Sequence, residues 1–174
     1  MRNFKIFILA LILVSGGISV SGKSLTESRT TIQKAADDIN RAAFYKAMRD
    51  KDKSAVKSQL SDLEKAPEGK LDAFIGAMTM KEAGFGGDPV SKLSLFKKGH
   101  KLLEAAIRKE PDNAEYRFLR LIIQENAPNI LGYHSDVEKD TEYIRKSYKS
   151  LPNDVQQAIV DYSKKSKNLK LEVS

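Results

Sequence analysis

The most regular helical pattern in the chain lies in residues 88–113, which read DPVSKLSLFKKGHKLLEAAIRKEPDN. Apolar or small residues recur there on one helical face, namely Leu93, Phe96, Gly99, Leu103, Ala106 and Ile107. Asp88 and Pro89 suit the cap and the first turn of a helix, and Pro111 is typical of its end. The stretch therefore predicts a long amphipathic helix with its apolar face buried and its lysines in solvent.

Helical spacing continues on both sides of this stretch, whereas no window of useful length alternates apolar and polar residues as a half-buried strand does. The sequence predicts an all-α fold of about seven helices in antiparallel helical hairpins. Capping boxes at residues 24–27 and 135–138 are expected to open the first and sixth helices, and Pro67 the third. The fifth helix, after Pro111, is apolar around much of its circumference and is expected to be the most buried.

Length and composition exclude several classes of protein. The chain has 174 residues, of which 41% are hydrophobic, 30% charged and 7% aromatic, and its formal net charge is +7. These values exclude a polytopic membrane protein and favour one globular domain. Since the chain has no cysteine, disulfides, a thiol nucleophile and thiolate metal sites are excluded as well.

Residues 1–22 have the pattern of a secretory signal peptide. A positively charged start precedes an uninterrupted apolar run over residues 6–14, and small residues follow it. Cleavage is expected after Ser21 or Gly22. An uncleaved membrane anchor is the alternative, but a spanning helix needs about 20 predominantly apolar residues, and serine and glycine dilute this run. The sequence therefore predicts an exported protein, periplasmic or extracellular.

The predicted organisation of the chain has three parts. The signal peptide covers residues 1–22, and a single all-helical domain covers residues 23–165. Residues 166–174 are expected to form a flexible basic tail, because chain ends rich in lysine are often frayed.

One part of the chain resembles a known helical repeat. Gly99, Leu103, Ala106 and Pro111 follow the spacing small-x3-large-x2-Ala-x4-Pro, which resembles the second helix of a tetratricopeptide repeat; the resemblance covers residues 91–124. It implies that the hairpins stack in a right-handed, tetratricopeptide-like array, a fold that serves protein binding. An irregular helical bundle fits the same pattern of helices and stays open as the alternative.

No pattern in the sequence predicts catalysis, a metal site or a cofactor. The two histidines are His100 and His134, and neither lies in the paired arrangement that a zinc site requires. The glycine-rich residues 84–89 lack the Lys-Ser or Lys-Thr pair of a phosphate-binding loop. No serine, threonine or lysine has an evident activating base. The chain is therefore predicted not to be an enzyme.

The connector over residues 125–134 has the composition expected of a recognition surface, because it mixes amides with Ile130, Leu131 and Tyr133. Together with nearby aromatic residues it supplies the candidate binding residues, which are Phe85, Tyr116, Gln124, Glu125, Asn126, Tyr133 and His134. The leading hypothesis is a non-enzymatic helical-repeat domain that mediates protein or peptide binding in the cell envelope. Its expected partner is another envelope or secreted protein or peptide.

The alternative hypothesis is a periplasmic or secreted carrier or sensor of a small ligand. Its cavity is expected near Tyr116, Phe118, Ile130 and Tyr133. Nucleic acid is not expected as a partner, because few aromatic residues lie among the basic ones and the chain is predicted to be exported. Contact with a membrane is expected to be peripheral at most.

Overall fold

The computed structural model describes residues 39–171, which form seven α-helices and no strand. The helices are α1 (Arg41–Arg49), α2 (Lys53–Leu63), α3 (Asp72–Ala83), α4 (Pro89–Lys109), α5 (Ala114–Asn126), α6 (Val137–Ser147) and α7 (Asn153–Ser163). Short 3-10 turns, Asn129–Leu131 and Tyr148–Ser150, follow α5 and α6. The predicted all-α fold is confirmed. No helix in the described range is both long enough and apolar enough to cross a membrane.

The most extensive helix pair is the hairpin of α3 and α4. Asp88 caps α4 by accepting a hydrogen bond from the Ser91 amide at 2.9 Å, and Pro89 occupies its first turn, as predicted. Gly76 on α3 faces Gly99 on α4 so closely that a methyl group built at Gly76 would lie 2.7 Å from the Gly99 carbonyl oxygen. Two glycines therefore allow the two backbones to touch, which larger side chains would prevent.

Helix α5 lies at the centre of the fold, as predicted. It carries more buried residues than any other described helix, and Phe118, Leu119 and Leu121 are fully buried. It packs against α6 most extensively and also contacts α3 and α4. The apolar residues around its circumference are therefore covered on several sides by different helices.

The first and last described helices contact each other, since α1 packs against both α2 and α7. The aromatic ring of Tyr162 on α7 also meets Phe118 on α5, with 5.8 Å between ring centroids. In an open stack of hairpins each unit contacts only its neighbours. The contact between α1 and α7 is therefore more typical of a closed bundle.

One predicted helix start differs from the structure, and another lies outside the described residues. Helix α1 begins at Arg41, because the Asn40 side chain accepts a hydrogen bond from the Ala43 amide at 3.0 Å and caps it; the capping box expected at residues 24–27 lies outside the described residues. Helix α3 begins at Asp72, so the start expected at Pro67 is wrong. Residues 67–70 form a tight turn instead, in which Gly69 has a φ of +79°.

The capping box predicted at residues 135–138 does not form. Asp136 is the cap residue of α6, but its side chain makes no capping hydrogen bond. The Ser135 hydroxyl donates to the Asp136 carboxylate at 2.9 Å, and that carboxylate lies 3.5 Å from the guanidinium of Arg120. The Asp136 carboxylate is therefore directed towards the buried Arg120 guanidinium on α5, and it does not cap α6.

The described part of the predicted flexible tail, residues 166–171, packs against the domain. Leu169 is fully buried and Ser166 is 3% exposed. The carbonyl groups of Asn168 and Lys170 accept hydrogen bonds from Arg145 on α6 at 2.9 and 3.0 Å. The expectation that this segment extends freely into solvent is wrong for these residues, because one leucine and several backbone groups hold it in place.

Candidate functional site

The seven candidate binding residues do not converge on one site. Phe85 and Asn126 line a surface groove between α3, α4 and the end of α5. Gln124 and Tyr133 are buried, and Tyr116 is half-buried. The predicted recognition surface is thus divided between a groove and the interior.

Glu125 holds the C-terminal segment on the domain. Its carboxylate accepts hydrogen bonds from the hydroxyls of Tyr162 and Ser166 at 2.6 and 2.8 Å, and from the Asn168 side chain at 2.7 Å. Burial alone raises the pKa of Glu125, but these hydrogen bonds outweigh it and hold the pKa below its usual value. With its oxygens occupied in this way, Glu125 serves as a structural anchor.

Tyr133 likewise faces the interior. Its hydroxyl donates to the Glu104 carboxylate at 2.5 Å, and its ring meets the His100 ring edge-on with centroids 4.6 Å apart. Burial and this hydrogen bond raise the pKa of Tyr133 well above its usual value, so the hydroxyl stays protonated. The adjacent His134 is half-buried, and its Nε2 has no hydrogen-bond partner among the described residues.

A buried ion network joins α5 to α6. Arg120 donates to the two Asp140 oxygens at 2.6 and 2.8 Å, and Arg117 donates to the same carboxylate at 3.0 Å. Arg120 also meets Glu104 of α4 at 3.1 Å. Asp140 is completely buried, so the two arginines supply the charge that keeps this carboxylate from being isolated in the interior. The network connects three helices, and its groups bind one another.

A second buried ion pair connects α1 to α5. Arg41 donates to both oxygens of Glu115 at 2.9 and 3.0 Å, and the Tyr45 hydroxyl donates to the same carboxylate at 3.0 Å. Burial raises the pKa of Tyr45, and the Glu115 charge raises it further. This cluster also serves to fix one helix against another.

Gln124 is the least satisfied polar side chain of the core. It is fully buried, and both its amide oxygen and its amide nitrogen lack a hydrogen-bond partner within residues 39–171. A buried amide in this state costs free energy, because water has been removed and no protein group replaces it. Gln124 lines neither of the two cavities described next.

An open apolar groove of about 570 Å³ lies between the end of α3, the start of α4 and the connector after α5. The residues that form its apolar walls include Phe85, Leu93, Phe96, Ile123, Ile130 and Leu131. Ile130 is 93% exposed and Leu93 is 41% exposed. Leu93 therefore does not take the core position predicted for it, and instead forms part of a wall of the groove.

Lysines border the groove. Lys51, Lys81 and Lys92 line it, and no described carboxylate does. The Lys81 ammonium lies 5.9 Å from the centre of the Phe85 ring. Burial, followed by repulsion from Lys165, lowers the pKa of Lys81. The groove thus combines apolar walls with a positive rim.

A second cavity of about 200 Å³ adjoins the groove and shares Lys51, Lys81, Ile123 and Asn126 with it. Residues from α1 and α5 form its apolar walls, among them Tyr45, Met48, Phe118 and Ile122. Arg49 and Lys165 also line it, and its one described carboxylate, Asp161, lies 2.9 Å from Lys164 and 3.8 Å from Arg49.

The small-ligand cavity predicted from the sequence is not assembled as expected. Phe118 lines the smaller cavity, Ile130 lines the larger groove, and Tyr116 and Tyr133 line neither. Sequence reasoning also missed Lys51 and Lys81. No local signal marks these lysines among the many others, because only the folded chain brings the end of α1 next to the end of α3.

The four residues that carry the repeat-like spacing lie along and directly after α4. Gly99 and Leu103 are buried, and Ala106 is half-buried against the core. Pro111 is exposed directly after α4, and its carbonyl oxygen accepts hydrogen bonds from the Arg117 guanidinium at 2.6 and 3.0 Å. Pro111 therefore follows the end of α4 as predicted, while its role in a repeat stays a prediction.

Comparison of the chain with protein-family models, with curated proteins and with solved structures finds no match. The resemblance to a tetratricopeptide repeat therefore stays a prediction. Within the described residues, no group of three or more histidine, aspartate or glutamate side chains is placed to hold a metal ion.

Proposed function

We propose that this protein is an exported, non-enzymatic helical domain that binds a segment of another protein in the groove at the end of α3, the start of α4 and the connector after α5. The observation that carries the proposal is the open apolar groove of about 570 Å³, with Ile130 and Leu93 exposed on its walls. Large apolar side chains that line a concave surface together are typical of a binding site. The partner is another envelope or secreted protein or peptide.

The shape of the groove favours a peptide segment over an enclosed small molecule. The groove is partly open to solvent, and peptide-binding helical proteins use open grooves for the apolar face of an extended or helical segment. A small apolar ligand is held best by a pocket that covers most of its surface. The buried charged groups support a non-enzymatic role, because they bind one another across helix contacts.

Site-specific photocrosslinking in the native host tests the proposal. A benzophenone amino acid replaces Leu93 or Ile130 in the full-length chain, and in matched controls it replaces Lys139, which is exposed on α6. The expected result is a discrete protein adduct from both groove positions and none from the control. The adduct at position 93 should disappear when Ile130→Asp places a charge in the groove. Equal adducts at Lys139, or none at either groove position, would refute the proposal.

Export is proposed on the pattern of residues 1–22, and a simple measurement tests it. The protein is recovered from fractionated native cells, and its N-terminal residue is determined. A mature chain that begins at Gly22 or Lys23 and lies in the periplasm or the medium is expected. An intact Met1 on protein from the cytoplasm contradicts export.

The tetratricopeptide-like stacking of the hairpins is likewise a proposal. It is supported by the spacing from Gly99 to Pro111 and by the close contact of α3 with α4 at Gly76 and Gly99. An experimental structure in which successive hairpins are related by one constant right-handed rotation would support it. Hairpins related by unequal rotations would favour the irregular bundle.

A further inference from the structure

We propose that the groove receives an acidic peptide segment in which a carboxylate side chain lies between apolar side chains. The inference rests on the proposed function and specifies the chemistry of the partner. The carboxylate is expected near Lys51 and Lys81, and its apolar neighbours are expected to enter the groove on one side and the smaller cavity on the other.

The first argument is the charge of the surface. The basic side chains that line the two cavities are Arg49, Lys51, Lys81, Lys92 and Lys165, against a single described carboxylate, Asp161. That carboxylate is already paired with Lys164 and Arg49. The other cations therefore favour a partner of opposite charge, since complementary potentials both attract and orient a binding segment.

The second argument is the position of the cations. Lys51 and Lys81 line both cavities, so they lie at the junction between two apolar compartments. Phe85 belongs to one compartment and Phe118 to the other. A peptide with the order apolar, acidic, apolar matches this arrangement. A fatty acid matches it less well, because its carboxylate is at the end of a single chain and only one compartment would be filled.

The third argument is the burial of Lys81 and its lack of an ion-pair partner among the described residues. It is half-buried, and no carboxylate in the described range lies within ion-pair distance of it. Burial, together with the positive charges of Lys165 and Lys51, lowers the pKa of Lys81, and the negative charge of Asp50 only partly offsets this effect. A partly dehydrated cation without an ion-pair partner gains more from an incoming carboxylate than a fully hydrated lysine does. Lys81 is therefore the expected centre of recognition.

Selection from a random peptide library tests the inference. Displayed peptides of about 12 residues, long enough for an extended segment or a short helix, are selected on the full-length protein. Peptides that also bind Ile130→Asp are removed in each round. We expect aspartate or glutamate flanked by apolar residues to be enriched roughly threefold over the starting library, as one partly exposed ion pair predicts. Replacing that acid by its amide should weaken binding of a selected peptide roughly threefold to tenfold.

Charge reversal locates the carboxylate. Lys81→Glu, and independently the more exposed Lys51→Glu, should select peptides with lysine or arginine at the central position. The matched control Lys139→Glu reverses a charge on α6, which contributes to neither cavity, and should retain the acidic preference. Circular dichroism verifies that each variant is as helical as the wild type. An acidic preference that persists in both reversed variants overturns the inference.

The remaining outcomes separate this inference from the proposed function. Enrichment of apolar peptides without an acidic residue overturns the inference and leaves peptide binding in place. Absence of any enriched peptide, together with absence of adducts at Leu93 and Ile130, overturns both. If dodecanoate binds with the same dependence on Lys81 and displaces the selected peptides, the ligand is a single-chain amphiphile, and the inference is wrong.

Discussion

Substitution of Gly76 by alanine tests whether the contact between α3 and α4 holds the fold together. The added methyl carbon would lie 2.7 Å from both the Gly99 carbonyl oxygen and the Leu103 amide nitrogen, and 3.1 Å from the Leu102 side chain. Ordinary contact begins at 3.4 Å. Because two of these neighbours are backbone atoms of a 21-residue helix, rotation of a side chain cannot relieve the clash, and α4 must move away by roughly 0.7 Å.

Two opposing contributions determine how far Gly76→Ala changes the free energy of unfolding. Overpacking of a core costs typically about 1–3 kcal/mol, and backbone neighbours place this site at the upper end. Against this cost, alanine stabilises a helix by about 1 kcal/mol relative to glycine. We therefore expect Gly76→Ala to lower the free energy of unfolding by about 2 kcal/mol. For a domain of this size the melting temperature should fall by roughly 6–8 °C.

Urea unfolding followed by circular dichroism measures the change, since the protein is helical and has no tryptophan to serve as a fluorescent reporter. Gly87→Ala is the matched control, because a methyl group there meets no atom within 4 Å. Its stability should stay within about 0.5 kcal/mol of the wild type. If Gly76→Ala is as stable as Gly87→Ala, the reasoning about backbone contact is refuted.

Three further predictions concern polar groups that are buried or half-buried, each measured by the same unfolding assay. Asp140→Asn should cost about 3–5 kcal/mol, because it leaves Arg117 and Arg120 without their shared counter-charge; a loss below about 1 kcal/mol would contradict a buried network. Gln124→Leu should stabilise the protein by about 1–2 kcal/mol, since it removes an amide without protein partners, and a destabilised variant would show that the amide is satisfied. The pKa of Glu125 is lowered on folding, so its stabilising contribution should be present above its unfolded pKa of about 4.5 and disappear as the pH falls through its lower folded pKa. Glu125→Gln should reduce this acid sensitivity, and an unchanged pH profile would argue against the anchor.

The predicted boundaries of α4 agree with the structure, because capping and proline signals lie at both of its ends. Asp88 with Pro89, and Pro111, delimit α4 in the structure as they do in the sequence. The prediction failed at Pro67, because proline is equally suited to a tight turn, and Gly69 supplies the backbone conformation which that turn requires. It failed again at the capping box of residues 135–138, because the Ser135 hydroxyl donates to Asp136, whose carboxylate faces Arg120.

The candidate site was predicted only in part. Two residues of the predicted segment 125–134, Asn126 and Ile130, line the groove, whereas its binding role stays a prediction. Glu125 and Tyr133 were expected to bind a partner, but their hydrogen bonds are made within the domain. A polar residue in a connector has the same appearance in the sequence whether it faces solvent or another helix.

The sequence by itself determined that the described part of the chain is all-helical and where α4 begins and ends. Those features depend on groups within a few residues of one another: apolar spacing, capping side chains and proline. Only the tertiary structure decided that α1 meets α7, that Gly76 meets Gly99, and that Lys51 and Lys81 border the same groove. Such contacts join residues distant in the chain, and they depend on how whole helix faces fit together, which no short stretch of sequence encodes.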